Sequence, residues 1–476
     1  MNVAQRVAKN TLSLSLSQAA IKVINFIFIV FLARLIGVQD FGKYSFVMVL
    51  FGMLSLLANF GFDTLIIRDV ARNNSLSSKY LWNSLLVKFL NALIVLIVIS
   101  LLFGFTDVLN DYIKRSCLAV SCLILFFNCG TQTLWSLADA YEKMQYHSVL
   151  NIFYNFFKAA IGLWLVIYGY GLIALFFGLF LIEVLTFMLT FLVISKALKL
   201  PRFEISYGGV RDLIRKSWPF AILGVLGLIY FRIDVLILSW LKDDMVVGWY
   251  NAAYGLIVGL MFVPDSLVSA LFPVMSKYHE NSEQSLKLVY QKSIKCLFII
   301  GIPITAGGII LSSPIILLLY GQRYAESIPA FQILSCAILF IFVNAPLGRL
   351  LFSMNKQKEV LLLSLITVSS NVLLNIIMIP TLSFIGSSIA TVLSEIISLW
   401  IFFSLLNKAS FKINITGVIL KPLLACSVMA LFVYFFRNAN LFILIPSAGL
   451  IYFMSLIMTK NFDEDDKYLF KRILRM

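Results

Sequence analysis

Charge is what this sequence has least of. Asp, Glu, Lys and Arg together make up 13% of its 476 residues, about half the share found in a soluble domain. A chain so poor in charge cannot cover a water-facing surface, which excludes a soluble enzyme. Histidine is almost missing: His147 and His279 are the only two, too few for a histidine-built metal centre. The six cysteines (117, 122, 129, 296, 336 and 426) all lie in apolar segments and form no CxxC pair. That excludes a thiolate zinc site or a disulfide framework and leaves them as small buried hydrophobes. Met1–Lys9 runs into an apolar stretch with no small-residue cleavage site, so the first span is expected to be retained rather than removed as a signal peptide.

What is present is apolar. The hydrophobic fraction is 61% and the mean hydropathy +0.96. That is about 290 apolar residues, and at about 20 per membrane-spanning helix there is room for roughly fourteen spans and no large extramembrane domain. Charge-free windows and loop signals such as Tyr168-Gly169-Tyr170-Gly171, Pro380 and Gly386 place them near 12–36, 41–66, 81–104, 115–139, 147–168, 171–195, 217–241, 246–273, 292–319, 326–353, 358–380, 384–407, 418–436 and 441–459. Of the 38 Lys and Arg residues, 25 fall in segments on the side of the N-terminus and seven in the opposite loops. This bias predicts a multi-pass protein of the cell inner (plasma) membrane with both termini cytoplasmic. The net charge of +15 is scattered over short loops, so membrane lipids, not nucleic acid, are the expected polyanionic partners. Two inner segments, Lys196–Lys216 and Lys277–Lys295, mix basic and apolar residues as surface-lying helices do. The expected organisation is an N-lobe (1–195, spans one to six), a basic linker (196–216), a C-lobe (217–407, spans seven to twelve), and a last segment (408–476) with spans thirteen and fourteen and a cytoplasmic tail.

The two lobes repeat one another. Phe41-Gly42-Lys43-Tyr44-Ser45 after span one matches Val247-Gly248-Trp249-Tyr250-Asn251 after span seven: apolar, Gly, any residue, Tyr, small polar. Spans four and ten end near the basic turns Lys143-Met144-Gln145 and Lys356-Gln357-Lys358, and spans six and twelve open with Gly171/Ile173-Ala174 and Gly386/Ile389-Ala390. Six spans per repeat, each starting on the same side, is a parallel repeat of the kind transporters use.

A charge at mid-bilayer costs roughly 2.5–3.5 kcal/mol on insertion scales, so it marks a cavity or a partner. Lys22, Lys158 and Arg232 are the deep cations and the candidate substrate-binding residues of a polar cavity between lobes, where they would attract an anionic group. Lys22 and Arg232 fall one helical turn apart in the repeat register. Glu183, Glu395, Asp234, Asp63 and Asp265 are candidate cavity carboxylates or sites for a coupling ion, H+ or Na+, and Arg34, Arg68, Lys88 and Arg349 are secondary cations. The alternative is internal pairing that serves packing alone, Arg232 with Asp234 or Glu183 with Lys158. No catalytic residue, resident metal or other cofactor is indicated. Pro264, Pro303, Pro314 and Pro346 are expected to interrupt or kink spans eight to ten.

Several ordered segments carry a family resemblance. Ala33-Arg34-Leu35-Ile36-Gly37-Val38-Gln39-Asp40-Phe41-Gly42-Lys43-Tyr44-Ser45, then Gly61-Phe62-Asp63 with Ile67-Arg68-Asp69-Val70-Ala71-Arg72, then Ile233-Asp234, Tyr320-Gly321 with Tyr324, and Ala330-Phe331-Gln332-Ile333-Leu334 resemble Wzx-type polysaccharide flippases of the multidrug/oligosaccharidyl-lipid/polysaccharide exporter superfamily. The resemblance covers about residues 5–460. It implies an all-α polytopic membrane protein of 14 transmembrane helices, two six-helix lobes and two C-terminal helices. It further implies a flippase that moves undecaprenyl-pyrophosphate-linked oligosaccharide, an O-antigen or capsule repeat unit, to the outer leaflet by alternating access, with other polysaccharide assembly proteins as further partners. Two other functions compete. A cation-coupled multidrug exporter of the same fold should favour acidic over basic deep residues, and three deep cations oppose it. A membrane-embedded polymerase or transferase should carry a sizeable outer loop or an acidic pair on the first outer loop, and neither is present.

Overall fold

The computed structural model describes residues 3–102, 111–198, 202–408, 411 and 415–461, with side chains from Ser17 onward. The expected tail, 462–476, lies outside the described residues. Among the described residues fifteen α-helices follow one another: α1 Val3–Asn59, α2 Phe62–Arg72, α3 Ser77–Leu102, α4 Tyr112–Ala140, α5 Met144–Ile167, α6 Gly171–Leu198, α7 Tyr207–Leu241, α8 Asp244–Leu260, α9 Phe262–Asn281, α10 Glu283–Ile310, α11 Ser312–Tyr320, α12 Ser327–Ser353, α13 Gln357–Lys408, α14 Ile415–Phe435 and α15 Leu441–Met458. Short 3-10 turns stand at Asn74–Leu76 and Gln322–Tyr324. No strand occurs among the described residues.

Twelve helical stretches are long and apolar enough to cross a bilayer, and two of them each supply two crossings. At 57 residues α1 is far too long for one span. It breaks at Gly37, whose φ of 80° and ψ of 174° lie outside helical space in a region that glycine adopts freely. In the same way α13, of 52 residues, breaks at Ser383 (φ 55°, ψ −138°). The total is the fourteen crossings expected, in an all-α polytopic membrane protein.

Differences from the sequence reading are local and have plain causes. Span two was expected to run to residue 66, but Phe60 and Gly61 take positive φ and the chain restarts as α2. That helix is amphipathic, burying Phe62, Leu65, Ile66 and Val70. The basic segments 196–216 and 277–295 do not form separate surface helices. Residues 196–198 end α6, residues 199–201 lie outside the described residues, 202–206 form neither helix nor strand, and 207–216 begin α7, capped by Ser206; the second segment is divided between α9 and α10 by Ser282, whose hydroxyl accepts the Ser285 N–H. Of the four prolines, Pro264 and Pro314 follow helix breaks at Met261 and Leu311, whereas Pro303 and Pro346 lie inside helices.

By packing, the chain divides into residues 1–248 and 249–476. In the first unit α4 packs on α6, α1 on α5, and α7 on α1, α2 and α3. The two repeat glycines meet here. A Cβ on Gly42 would fall 1.8 Å from the Asp244 carbonyl oxygen, and one on Gly248 would fall 2.2 Å from that of Val38. The repeated Gly is therefore a backbone-to-backbone contact that no side chain permits. Ion pairs flank it: Lys43 with Asp111 at 2.7 Å, and Lys114 with Asp244.

In the second unit α12 packs on α13 and α10, α14 on α10, and α15 on α14. Pro303 has no N–H to offer the Ile299 carbonyl one turn back. Tyr452 of α15 supplies the missing donor, its hydroxyl 2.8 Å from Ile299 O. A side chain from the last helix thus satisfies the backbone group that the proline leaves open.

Candidate functional site: a polar core among apolar helices

Four helices of the first unit bring polar side chains together between apolar neighbours. Lys158 of α5 donates from Nζ to Asn25 Oδ1 of α1 at 2.6 Å. Asn25 Nδ2 donates to Asn155 Oδ1 at 2.9 Å, and Asn155 Nδ2 donates to both Asn151 O and Asn151 Oδ1 at 2.8 Å. The ammonium also lies over the rings of Phe28, at 5.7 Å, and Tyr154, at 5.8 Å, positions that favour a cation. An ammonium has three N–H donors. One of them meets a hydrogen-bond acceptor among the described residues, so two are left for an anion. Lys22 stands exposed three residues before Asn25, hence on the same face of α1.

Beside this lysine is Glu183 of α6, 1% exposed. A buried carboxylate needs donors. Here they are Asn128 Nδ2 of α4, at 3.3 Å, and the Tyr154 hydroxyl, with the Lys158 charge close enough to act on it. The network continues through Asn128 Oδ1, which accepts from Ser55 Oγ, and Ser55 Oγ accepts from Asn59 Nδ2, both at 3.4 Å. Such an arrangement can hold an anion against Lys158 and can hold or release a proton at Glu183.

The other expected residues are dispersed. Asp234 is buried and accepts the Val235 N–H at 2.8 Å, and Arg232 is half-buried on the same helix. Lys88 is 0% exposed and bonds Asp63 at 2.5 Å and Thr133 Oγ1 at 2.7 Å. Arg68 bonds Asp69 at 2.7 Å and lies over the Phe220 ring. Burial pushes the Asp69 carboxyl up, but the Arg68 guanidinium and the Tyr80 hydroxyl outweigh it and hold it below the ordinary carboxylate range. Arg34 is exposed.

In the second unit Glu395 accepts from Asn344 Nδ2 at 2.7 Å. Nearby in sequence, Asn371 Nδ2 donates to Ser394 Oγ at 3.2 Å, and Asn375 Nδ2 donates to Asn371 Oδ1 at 3.1 Å. Arg349 is exposed over the Phe272 ring, and Asp265 is exposed on α9.

Reading the sequence for charges finds Lys158 and the two glutamates but misses the asparagines that hold them. The signal was present: Asn151 and Asn155, like Asn371 and Asn375, stand four apart in otherwise apolar runs. Amides in lipid must find partners, and on one helical face they find them together.

With this geometry in view, known proteins give the context. A family model described as "Polysaccharide biosynthesis protein" matches residues 7–279, and one described as "Lipid II flippase MurJ" matches 148–453. Each spans more than half of the chain. The chain belongs to the polysaccharide biosynthesis protein family, and it shares the MurJ family's pattern over its later two thirds.

Relatives and folds agree with that family. CapF of Staphylococcus aureus, a capsular polysaccharide biosynthesis protein, is 24% identical over 387 residues, 79% of this chain and 92% of its own. Agl15 of Haloferax volcanii, whose name assigns it to low-salt glycan biosynthesis as a flippase, is 24% identical over 372 residues, covering 78% and 77%. Among solved structures, the lipid II flippase MurJ in an inward closed conformation superposes with a TM-score of 0.77 at 15% identity, covering 97% of this chain and 99% of that one. An inward-facing multidrug resistance MATE family transporter of the MOP superfamily gives 0.62 at 18% identity, covering 84% and 98%. The fold of this family member is that of the two-lobed all-α transporters.

Proposed function

We propose that the protein is a flippase for lipid-linked oligosaccharide, carrying a pyrophosphate-linked glycan repeat unit from the cytoplasmic to the outer leaflet of the cell inner membrane by alternating access. Both termini lie in the cytoplasm in this reading, as the Lys/Arg asymmetry expects. Its family and its named relatives support the substrate class. The observation that carries the site is the Lys158 ammonium. It sits mid-span and, among the described residues, has one hydrogen-bond acceptor, a neutral amide.

Lys22, Lys158 and Arg232 are the proposed contacts for the pyrophosphate or for acidic sugars. In a low-dielectric setting such charges act strongly and without much reorganisation. Glu183, and in the second unit Glu395, are the proposed carboxylates for a coupling H+ or Na+. Lys88 and Asp63 satisfy one another and are assigned a structural role.

The test is genetic. Cells lacking the gene should accumulate lipid-linked oligosaccharide on the inner leaflet, and the wild-type gene should clear it. Lys22→Gln, Lys158→Gln and Arg232→Gln should each leave a fraction uncleared, Lys158→Gln the most. Equal glycan distribution with and without the gene would remove the function. Full clearance by all three variants would remove the site.

A further inference from the structure

The first twelve residues of α7 lie outside the polar core, yet they are built as two faces. Gly209, Leu213 and Ser217 are buried against the unit. The adjoining strap is pinned by Asn83: Ser206 N–H donates to Asn83 Oδ1 at 3.1 Å, and Asn83 Nδ2 donates to Glu204 O at 3.2 Å. Tyr207, Arg211, Arg215 and Trp218 lie on the opposite face, all exposed. At 100° per residue these four fall within one quarter of the helix surface. Ile222, 44% exposed, continues the same stripe into the apolar part of the helix.

Length sets the depth of this stripe. The 35 residues of α7 extend about 52 Å, whereas the hydrocarbon core needs about 20 residues. Roughly the first fifteen therefore reach beyond it, putting Trp218 near the boundary and the two arginines at headgroup level. Three other cations at this end are paired: Lys79 and Lys216 share Asp212, at 3.5 and 3.1 Å, and Arg68 has Asp69. Arg211 and Arg215 have no hydrogen-bonded or ionic side-chain partner among the described residues. Guanidinium forks match phosphate oxygens bidentately, and an interfacial indole anchors beside an acyl chain.

We propose that Arg211, Arg215 and Trp218 form a binding site for the phosphate of a membrane lipid in the adjoining leaflet. The site rests on the proposed topology, which makes that leaflet the cytoplasmic one. Two lipids share the required chemistry, an anionic phospholipid and the polyprenyl pyrophosphate of the proposed substrate. In the second case the site is where substrate is first gathered.

The native Trp218 is a reporter. Full-length protein in vesicles containing brominated phosphatidylglycerol or brominated phosphatidylcholine is compared at equal mole fraction, and the Trp218 signal is the difference from Trp218→Phe. Quenching should reach half-effect at a lower mole fraction of the anionic lipid, by roughly fivefold for each arginine. Arg211→Gln with Arg215→Gln should erase that preference, and the Arg→Lys pair should retain most of it. Unbrominated polyprenyl pyrophosphate then separates the sources: relief of quenching makes the substrate lipid the ligand, and unchanged quenching makes it the phospholipid. Equal quenching by both brominated lipids, or a preference undiminished in the Gln pair, would overturn the site. Because binding is read without export, the result stands or falls separately from the flippase reading.

Discussion

In residues 1–248 the Glu183 carboxylate takes a donor from Asn128, and the Lys158 ammonium stands nearby. In residues 249–476 the Glu395 carboxylate takes a donor from Asn344. Counting from the matching basic turns, the place of Lys158 is held by Asn371, which bonds Ser394 instead. The shared part is the kind of bond, at 3.3 Å in the first unit and 2.7 Å in the second, despite a register change. Asn128 lies twelve residues before the end of α4 and Asn344 nine before the end of α12, while Glu183 lies twelve after Gly171 and Glu395 nine after Gly386. Each partner is displaced by three residues relative to these marks, in opposite directions along the helices, yet each unit keeps an amide–carboxylate bond. The amide–carboxylate bond is what a buried Glu needs in either unit. The lysine is an addition peculiar to the first, and it is where the two units differ in chemistry.

The largest expected effect tests close packing in the two units. Gly42→Ala sets a Cβ 1.8 Å from a backbone carbonyl oxygen of Asp244, and Gly386→Ala sets one 2.5 Å from that of Met378. Neither obstacle is a flexible side chain, so helices must separate. We expect Gly42→Ala to cost more than about 3 kcal/mol and Gly386→Ala about 1–3 kcal/mol, the range of overpacked cores. Gly255→Ala, where a Cβ meets nothing within 4 Å, should be neutral or slightly stabilising. Thermal aggregation of the detergent-solubilised variants gives the order directly. A Gly42→Ala protein as heat-stable as wild type would show that the repeat glycine is not a contact.

Next in size is an exchange at the site of difference. Lys158→Asn copies the second unit into the first, and we expect export to fall at least about tenfold, the loss of roughly 1.4 kcal/mol of substrate interaction. Asn371→Lys makes the opposite change at a position only 3% exposed. There the lysine should cost about 2.5–3.5 kcal/mol of insertion energy and gain no transport. The double variant Lys158→Asn with Glu183→Gln sharpens the test. If both charges served only to balance one another in packing, removing the pair would restore export as well as stability; with Lys158 holding substrate and Glu183 a coupling ion, we expect stability to recover and export to stay low. Accumulated inner-leaflet glycan and melting temperature, measured on the same variants, separate the outcomes.

These contrasts also show how far the sequence could be read. Span number and order follow from apolar run length, because a bilayer imposes one length on every crossing; Tyr168–Gly171 marks a boundary that the helices respect, and Pro380 stands about one turn before the break at Ser383. Charges in apolar runs are equally visible, which is how Lys158, Glu183 and Glu395 stand out. Their partners do not, since Asn25, Asn128 and Asn344 come from distant helices, and nothing in a linear pattern says which faces meet. Lys88 is an instance. Near a span end it looks free to reach the surface, yet helix packing turns it inward to Asp63 and Thr133. The break at Phe60–Gly61 is hidden because its flanks are as apolar as a continuous span, and the role of Tyr452 depends on a carbonyl opened by a proline in another helix.

The smallest expected effect concerns the bends inside the two double-length helices. Each unit folds one long helix at a single non-helical residue, Gly37 in α1 (φ 80°) and Ser383 in α13 (φ 55°). Glycine pays no Cβ penalty at positive φ, whereas serine does, by about 1–2 kcal/mol. Ser383→Gly should therefore relieve strain in the second unit, offset in part by the greater freedom of glycine in the unfolded chain, for a net gain of about 1 kcal/mol at most. Gly37→Ser moves the same strain into the first unit and should lose about 1–2 kcal/mol. Opposite shifts in melting temperature for the two substitutions are the expected result. Shifts of the same sign would mean that neighbouring packing, not the backbone at the bend, decides what each position accepts.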